Sequence, residues 1–176
     1  AHSSMVGEGF DTKVSGLLVL KELDAFAKVL DAPATPVLAI LGGAKVSDKI
    51  RRLTNMRDKG NMLIIGGGMA YTFLKVINGM KIGSSLYDED GAKIVPEIME
   101  KAKEKGVEII LPVDFTVSSK FGEDGEIQKD VKAADGVPDG FMGLDCGTES
   151  IAKNKEAILK AKTIIWNGPM GVFEME

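Results

Sequence analysis

Apolar residues in this chain come in two rhythms. Short unbroken runs have the length and makeup of strands buried on both faces. They are Val37-Leu38-Ala39-Ile40-Leu41, Met62-Leu63-Ile64-Ile65, Glu108-Ile109-Ile110-Leu111 and Thr163-Ile164-Ile165-Trp166. Between them, apolar positions recur at helical spacing. Val19, Leu20, Leu23, Phe26, Ala27 and Leu30 predict a helix over 14–30, stopped by Asp31-Ala32-Pro33. Ile50 and Leu53 mark the inner face of a helix over 46–57. Further helices are expected over 69–77, over 90–104 with Gly106 as its stop, and over 148–162 with Thr148 as candidate N-cap. Continuous strands alternating with helices predict an α/β fold, a parallel sheet covered on both faces. Residues 1–12 read as loop. Residues 118–140 are polar and turn-rich, with Glu123-Asp124-Gly125 as a hairpin turn, and read as a surface excursion. Phe121 and Phe141 are expected to pack beneath it, and Trp166 to lie in the core. Cys146 is placed in a turn after Leu144-Asp145, as a small residue rather than a nucleophile.

The carboxyl ends of three strands carry glycines: Gly42-Gly43, Gly66-Gly67-Gly68, and Gly168 with Gly171. Open parallel sheets bind ligands at that edge. The first loop runs into Ala44-Lys45-Val46-Ser47-Asp48-Lys49, so a helix opens with two lysines four residues apart. Like charges at that spacing cost about 0.2–0.5 kcal/mol, and a cation in the first turn opposes the helix dipole. A bound anion explains the arrangement. The glycine loop and helix start are expected to offer it backbone N–H groups, as they would to phosphate. Asn167 ends the fourth strand where the glycines converge; turn chemistry and ligand contact explain it equally well. Asp88-Glu89-Asp90 is read as a partner of a helix dipole rather than a metal site.

The length of 176 residues suits one domain with a sizeable core. A net charge of −4 implies no basic face for nucleic acid or an anionic membrane, so cations for phosphate must be local. A single cysteine excludes an internal disulfide framework and a cysteine metal cluster, and makes a reducing cytoplasm the default. The run Leu17-Leu18-Val19-Leu20 is too short to span a bilayer, and it lacks the flanks of a signal peptide. There is no G-x-x-x-x-G-K-[ST], no G-x-G-x-x-G after a strand and no H-E-x-x-H. His2 is the one histidine and sits at a terminus, which disfavours Ser–His–Asp catalysis. The absent fingerprint also disfavours a dehydrogenase. An enzyme acting on a nucleotide and a non-catalytic nucleotide- or phosphate-binding module both remain open from the residues alone. Ala1 and the ending Phe173-Glu174-Met175-Glu176 read as cuts from a longer protein, although removal of an initiator methionine would also explain the first.

In order along the chain stand Gly42-Gly43-Ala44-Lys45-Val46-Ser47-Asp48-Lys49, Gly66-Gly67-Gly68-Met69, Leu111-Pro112-Val113-Asp114, Gly143-Leu144-Asp145 and Trp166-Asn167-Gly168-Pro169-Met170-Gly171-Val172-Phe173-Glu174. This series closely resembles the phosphoglycerate kinase family, over essentially the whole chain. The resemblance implies a three-layer α/β/α Rossmann-like parallel sheet, incomplete because two edge strands of the family's domain are missing. It implies a leading loop from the domain junction over 1–12, an inter-domain helix over 13–31, and a nucleotide-binding domain over 32–176 truncated at its C-terminus.

The implied activity is reversible glycolytic phosphoryl transfer, a phosphotransferase reaction with a carboxyl-group acceptor. It runs between 1,3-bisphosphoglycerate and Mg-ADP, giving 3-phosphoglycerate and Mg-ATP. By the same resemblance, Gly43, Ala44, Gly67, Gly68, Leu86, Gly143, Leu144 and Val172 would line the adenine pocket, with Phe121, Gly168 and Phe173 close by. Glu174 would accept from the ribose hydroxyls. Lys45, Lys49 and Asn167 would meet the phosphates and the group in transit. Mg²⁺ would arrive with ADP or ATP, its protein ligand lying outside this chain. The phosphoglycerate would be bound by an absent N-terminal domain. The complete protein is expected to be a cytoplasmic monomer without nucleic-acid or membrane partners, and this segment to lack turnover alone.

Overall fold

The computed structural model describes residues 11, 12, 14–30, 33–46 and 61–175. The helix expected over 46–57, with Ser47, Asp48, Lys49, Ile50 and Leu53, lies outside the described residues, as does His2. The chain divides into two compact units, Ala1–Ala34 and Thr35–Glu176, which are described separately.

The first unit contains helix α1 (Leu17–Leu30). It begins later than the periodicity predicts, leaving Val14 outside the helix. Leu17, Leu18 and Leu23 are exposed.

The second unit holds β1 (Val37–Leu41), β2 (Met62–Ile65), α2 (Gly68–Asn78), α3 (Glu89–Lys105), β3 (Glu108–Ile110), β4 (Asp114–Ser118), β5 (Ile127–Lys132), β6 (Met142–Cys146), α4 (Thr148–Lys160) and β7 (Thr163–Asn167). Four strands form a parallel sheet in the order β3-β2-β1-β7. The two central strands are buried on both faces, as continuous apolar runs require. On one face Ala39, Leu41, Leu63 and Ile65 pack with Met69 and Phe73 of α2 and Val95 and Ile98 of α3. On the other, Leu38, Ile40, Met62 and Ile64 meet Ala157 of α4. These are the three α/β/α layers that the alternating pattern predicts. Left-handed Gly79 and Gly106 close α2 and α3.

The stretch 118–140 read as a surface excursion carries β5, which joins the flanking β4 and β6 in a second sheet, antiparallel, in the order β5-β4-β6. The hairpin turn is where expected, with Gly125 N–H donating to Gly122 O at 3.2 Å. The polarity of β5 hid the sheet: its outer positions are solvated, while Phe115 and Val117 of β4 pack on Tyr71 and Leu74 of α2. Cys146 therefore ends a strand and is not in a turn.

Phe121 is 64% exposed at the turn, so it packs under nothing; Phe141 does pack against the core of this second sheet. Trp166 is 66% exposed and is not a core residue. It faces the α4 side from the edge strand β7, where α4 covers β1 and β2 but leaves a groove of about 410 Å³ beside Ile158, Leu159 and Met170. Thr148 is not the N-cap of α4. That position is Gly147, and carboxylates from β4 and β5 do the capping.

Candidate functional site

The parallel sheet brings the carboxyl ends of β1, β2 and β7 to one edge, and the loops that leave them are bonded to one another. Gly42 N–H donates to Asn167 O (3.0 Å) and Gly43 N–H to Pro169 O (2.8 Å). Gly66 N–H donates to Leu41 O (2.8 Å), Gly67 N–H to Met170 O (2.9 Å), and Met69 N–H to Gly43 O (2.9 Å). Backbones this close leave no room for side chains. A Cβ on Gly42 would land on the Pro169 carbonyl. Gly67 has φ +62° and faces Gly43 N at 2.6 Å from where its Cβ would be. The glycines are there for close approach and for a left-handed turn.

This corrects one expectation. The N–H groups of Gly42, Gly43, Gly66 and Gly67 are spent on neighbouring carbonyls, so these glycines lock the loops together rather than offering a row of donors to phosphate. The cation remains: Lys45 is exposed, directly before Val46, which is 1% exposed in the core.

A fourth strand joins the cluster from the antiparallel sheet. Val172 N–H donates to Leu144 O (3.0 Å), and Gly143 N–H to Ser85 Oγ (2.8 Å). Leu86, 61% exposed, stands over Gly68, where an added Cβ would lie 2.8 Å from its Cδ1 and 3.3 Å from Ala44 Cα. The exposed apolar surface of Leu86 thus borders the glycine loops.

The sequence pattern of the family described as Phosphoglycerate kinase matches residues 1–176. The chain belongs to that family. "Phosphoglycerate kinase 1" of Rattus norvegicus is 59% identical over 176 residues, and "Probable phosphoglycerate kinase" of Caenorhabditis elegans is 61% identical over the same span. Each match takes in 100% of this chain, which spans 42% of the length of those relatives. The solved structure of phosphoglycerate kinase from Coxiella burnetii superposes with a TM-score of 0.83 at 41% identity, over 92% of this chain and 41% of that one. That from Pyrococcus horikoshii OT3 gives 0.67 at 26% identity, over 90% and 40%.

Of the residues that the phosphoglycerate kinase resemblance singles out, Gly43, Ala44, Lys45, Gly67, Gly68, Leu86, Gly143, Leu144, Asn167, Gly168 and Val172 belong to this knit of loops or directly adjoin it. Phe173 and Glu174 follow Val172 and are exposed. Phe121 sits apart, on the β4–β5 turn, and Lys49 lies outside the described residues.

Sequence reasoning missed the polar residues that support the site. Ser85 accepts from Gly143 N–H. Thr72, fully buried in α2, accepts from Asp88 N–H through Oγ1 (3.0 Å). Asp88 was legible as a helix-start carboxylate three residues before Gly91, and it is the N-cap of α3, but its reach to a distant loop was not.

Titration near the site is dominated by burial. Burial, then the neighbouring Asp145 carboxylate, pushes the Cys146 thiol up to about 11, which keeps it protonated at neutral pH. Burial also raises the Tyr71 phenol well above its ordinary value, with Asp145 adding to the effect.

Proposed function

We propose that this chain supplies the ADP/ATP site of a phosphoglycerate kinase. The complete protein would transfer a phosphoryl group reversibly between 1,3-bisphosphoglycerate and Mg-ADP. One observation carries the reading. Loops from β1, β2 and β7 interlock at the carboxyl edge of a parallel sheet with Lys45 exposed beside them, in a chain of this family.

The base would lie on the surface made by Gly43, Ala44, Gly67, Gly68, Leu86, Gly143, Leu144 and Val172, and Glu174 would accept from the ribose. Lys45, Lys49 and Asn167 would meet the phosphates. Phosphoryl transfer asks for placement and charge neutralisation rather than covalent help, and a lysine is a compact cation able to follow a moving group. The rigid interlock provides the placement, and the lysines the charge.

Mg²⁺, when bound with the nucleotide, neutralises charge developing on the phosphate oxygens. The residues described at this edge contribute a lysine and an amide, which suit phosphate oxygens, and the reading places the metal's protein ligand outside this chain. The phosphoglycerate site, a cytoplasmic setting and a monomeric complete protein belong to the same reading. No helix among the described residues is long and apolar enough to cross a membrane.

Titration of the full-length protein with ADP, and assay of its phosphoglycerate-dependent turnover, test the proposal. Lys45→Ala is expected to weaken nucleotide binding about 10- to 100-fold, the worth of a hydrogen bond to a charged group. The far-ultraviolet spectrum should not change. Wild-type protein that binds ADP without phosphoglycerate-dependent turnover would leave a binding module, and unchanged affinity in the variant would remove Lys45 from the site.

A further inference from the structure

Asp88 stands where three elements meet. Its N–H donates to Thr72 Oγ1 on α2 (3.0 Å). One carboxylate oxygen accepts from Gly91 N–H (3.0 Å), capping α3. The other accepts from the N–H of Val46 (2.8 Å), 42 residues away, where the β1 loop ends. The fit is tight, since a Cβ on Gly91 would sit 2.5 Å from Asp88 Oδ2 and 2.6 Å from Val46 Cβ. Val46 itself is buried among Leu41, Met69 and Val95.

The N–H that Asp88 holds belongs to the peptide joining Lys45 to Val46. Fixing that peptide plane anchors the backbone immediately after the Lys45 Cα and so restricts the directions in which the lysine can leave it. An N-cap needs only one acceptor oxygen. The second is therefore available for another task, and here it goes to the loop that carries the exposed cation.

We propose that Asp88 is a positioning residue for the nucleotide phosphates: it clamps the Lys45–Val46 peptide so that Lys45 is presented from a fixed backbone. The inference rests on the nucleotide reading above. Misplacing a positioning group by about 1 Å can cost as much as about 10²-fold in the step it serves.

Cap and clamp can be separated. Asp88→Asn keeps one oxygen for Gly91 and turns an NH₂ toward Val46 N–H, donor against donor. Asp88→Ser is also a good N-cap, but its side chain is too short to span to Val46. Both variants of the full-length protein should still fold, with melting temperatures lowered by a few degrees for the N–H of Val46 left without an acceptor. Both should raise Kd and KM for ADP about tenfold and leave KM for the phosphoglycerate substrate unchanged. The Val46 amide should lose hydrogen-exchange protection while Gly91 keeps its own.

A purely structural cap would leave nucleotide Kd and KM at wild-type values in both variants, and that result overturns the proposal. So does undiminished protection of Val46. Should Asp88→Asn fail to fold, Asp88→Ser decides on the same readouts. Wild-type protein that binds no ADP would overturn the nucleotide reading itself, and this inference with it. Wild-type binding together with normal variants overturns the clamp alone.

Discussion

Helices α2 and α4 start in opposite ways. The N-cap of α2 is Gly67, with no side-chain cap and no acidic residue in the first turn, and Met69 N–H is taken by the Gly43 carbonyl. The start of α4 is saturated with carboxylate. Asp130 Oδ1 accepts from Thr148 N–H (2.7 Å), Asp114 accepts from the N–H groups of Glu149 (2.9 Å) and Ser150 (2.8 Å), and Ser150 Oγ donates to Asp114 Oδ1 (2.5 Å). Both helix starts carry the positive end of a dipole. At α4 the protein neutralises that end with its own charge and gains stability. At α2 it uses only backbone and brings no carboxylate to the helix start; the nearby Asp88 carboxylate goes instead to the N–H groups of Val46 and Gly91. The same local physics is answered with charge at one helix start and with backbone alone at the other.

The largest expected effect comes from breaking the backbone interlock. In Gly42→Ala the new methyl collides with the Pro169 carbonyl, which cannot withdraw without releasing Gly43 N–H. A loss of about 3 kcal/mol in denaturant unfolding of the full-length protein is expected, together with weakened ADP binding. A loss below about 0.5 kcal/mol, the range of a neutral surface change, would show that the loops slide apart easily and are not a rigid platform.

Next is the carboxylate knot. Asp114→Ala strands the donors of Glu149, Ser150 and the serine hydroxyl in a buried place, at about 2–3 kcal/mol. If the two helix starts serve separate ends, ADP affinity at saturating stability stays at the wild-type value; a parallel fall in affinity would join the regions. The pH dependence sharpens this. Burial alone would raise the Asp114 carboxyl, but hydrogen bonds from Ser150 and Glu149 and the charge of Lys132 outweigh it and hold the group below its ordinary 3.8. Its contribution is then fully present above that ordinary value and is lost as pH falls through the lower folded value. The stability gap between wild type and Asp114→Asn should be widest at neutral pH and close in acid. A gap that stays constant down to about pH 2, below the ordinary carboxylate range, would mean the charge is irrelevant.

The parallel sheet was legible because its signal is local: four apolar runs, each ended by a turn residue, gave strands within a residue of those found. The antiparallel sheet was not, since β5 has one solvated face and β6 begins Met142-Gly143, so neither reads as an apolar run. Trp166 misled for a related reason. Hydrophobicity says that a residue can be buried, while its place on an edge strand decides whether anything covers it. The glycines did mark one edge of the sheet, where their loops meet, because strand-end position follows from sequence order in a parallel sheet. Which N–H meets which carbonyl does not follow, as those partners lie far apart in the chain. Asp88 and Ser85 were invisible as supports for the same reason.

The smallest effect concerns Cys146, which closes β6 one residue before the α4 cap and so borders both regions. It is half-buried, and burial followed by the Asp145 carboxylate raises its thiol to about 11. At pH 8 the thiolate fraction is then about 10⁻³, against roughly a quarter for an unperturbed cysteine near 8.5. Alkylation should run at least about 100-fold slower than that of a free thiol. Asp145→Asn removes the carboxylate's charge and leaves burial, the largest single cause, so labelling should quicken without reaching the free-thiol rate. Wild-type labelling at the free-thiol rate would require β6 to open often, and the Leu144–Val172 bond that ties this strand to the glycine loops would open with it. The rate therefore reports whether the charge-capped region and the backbone-locked region move as one body.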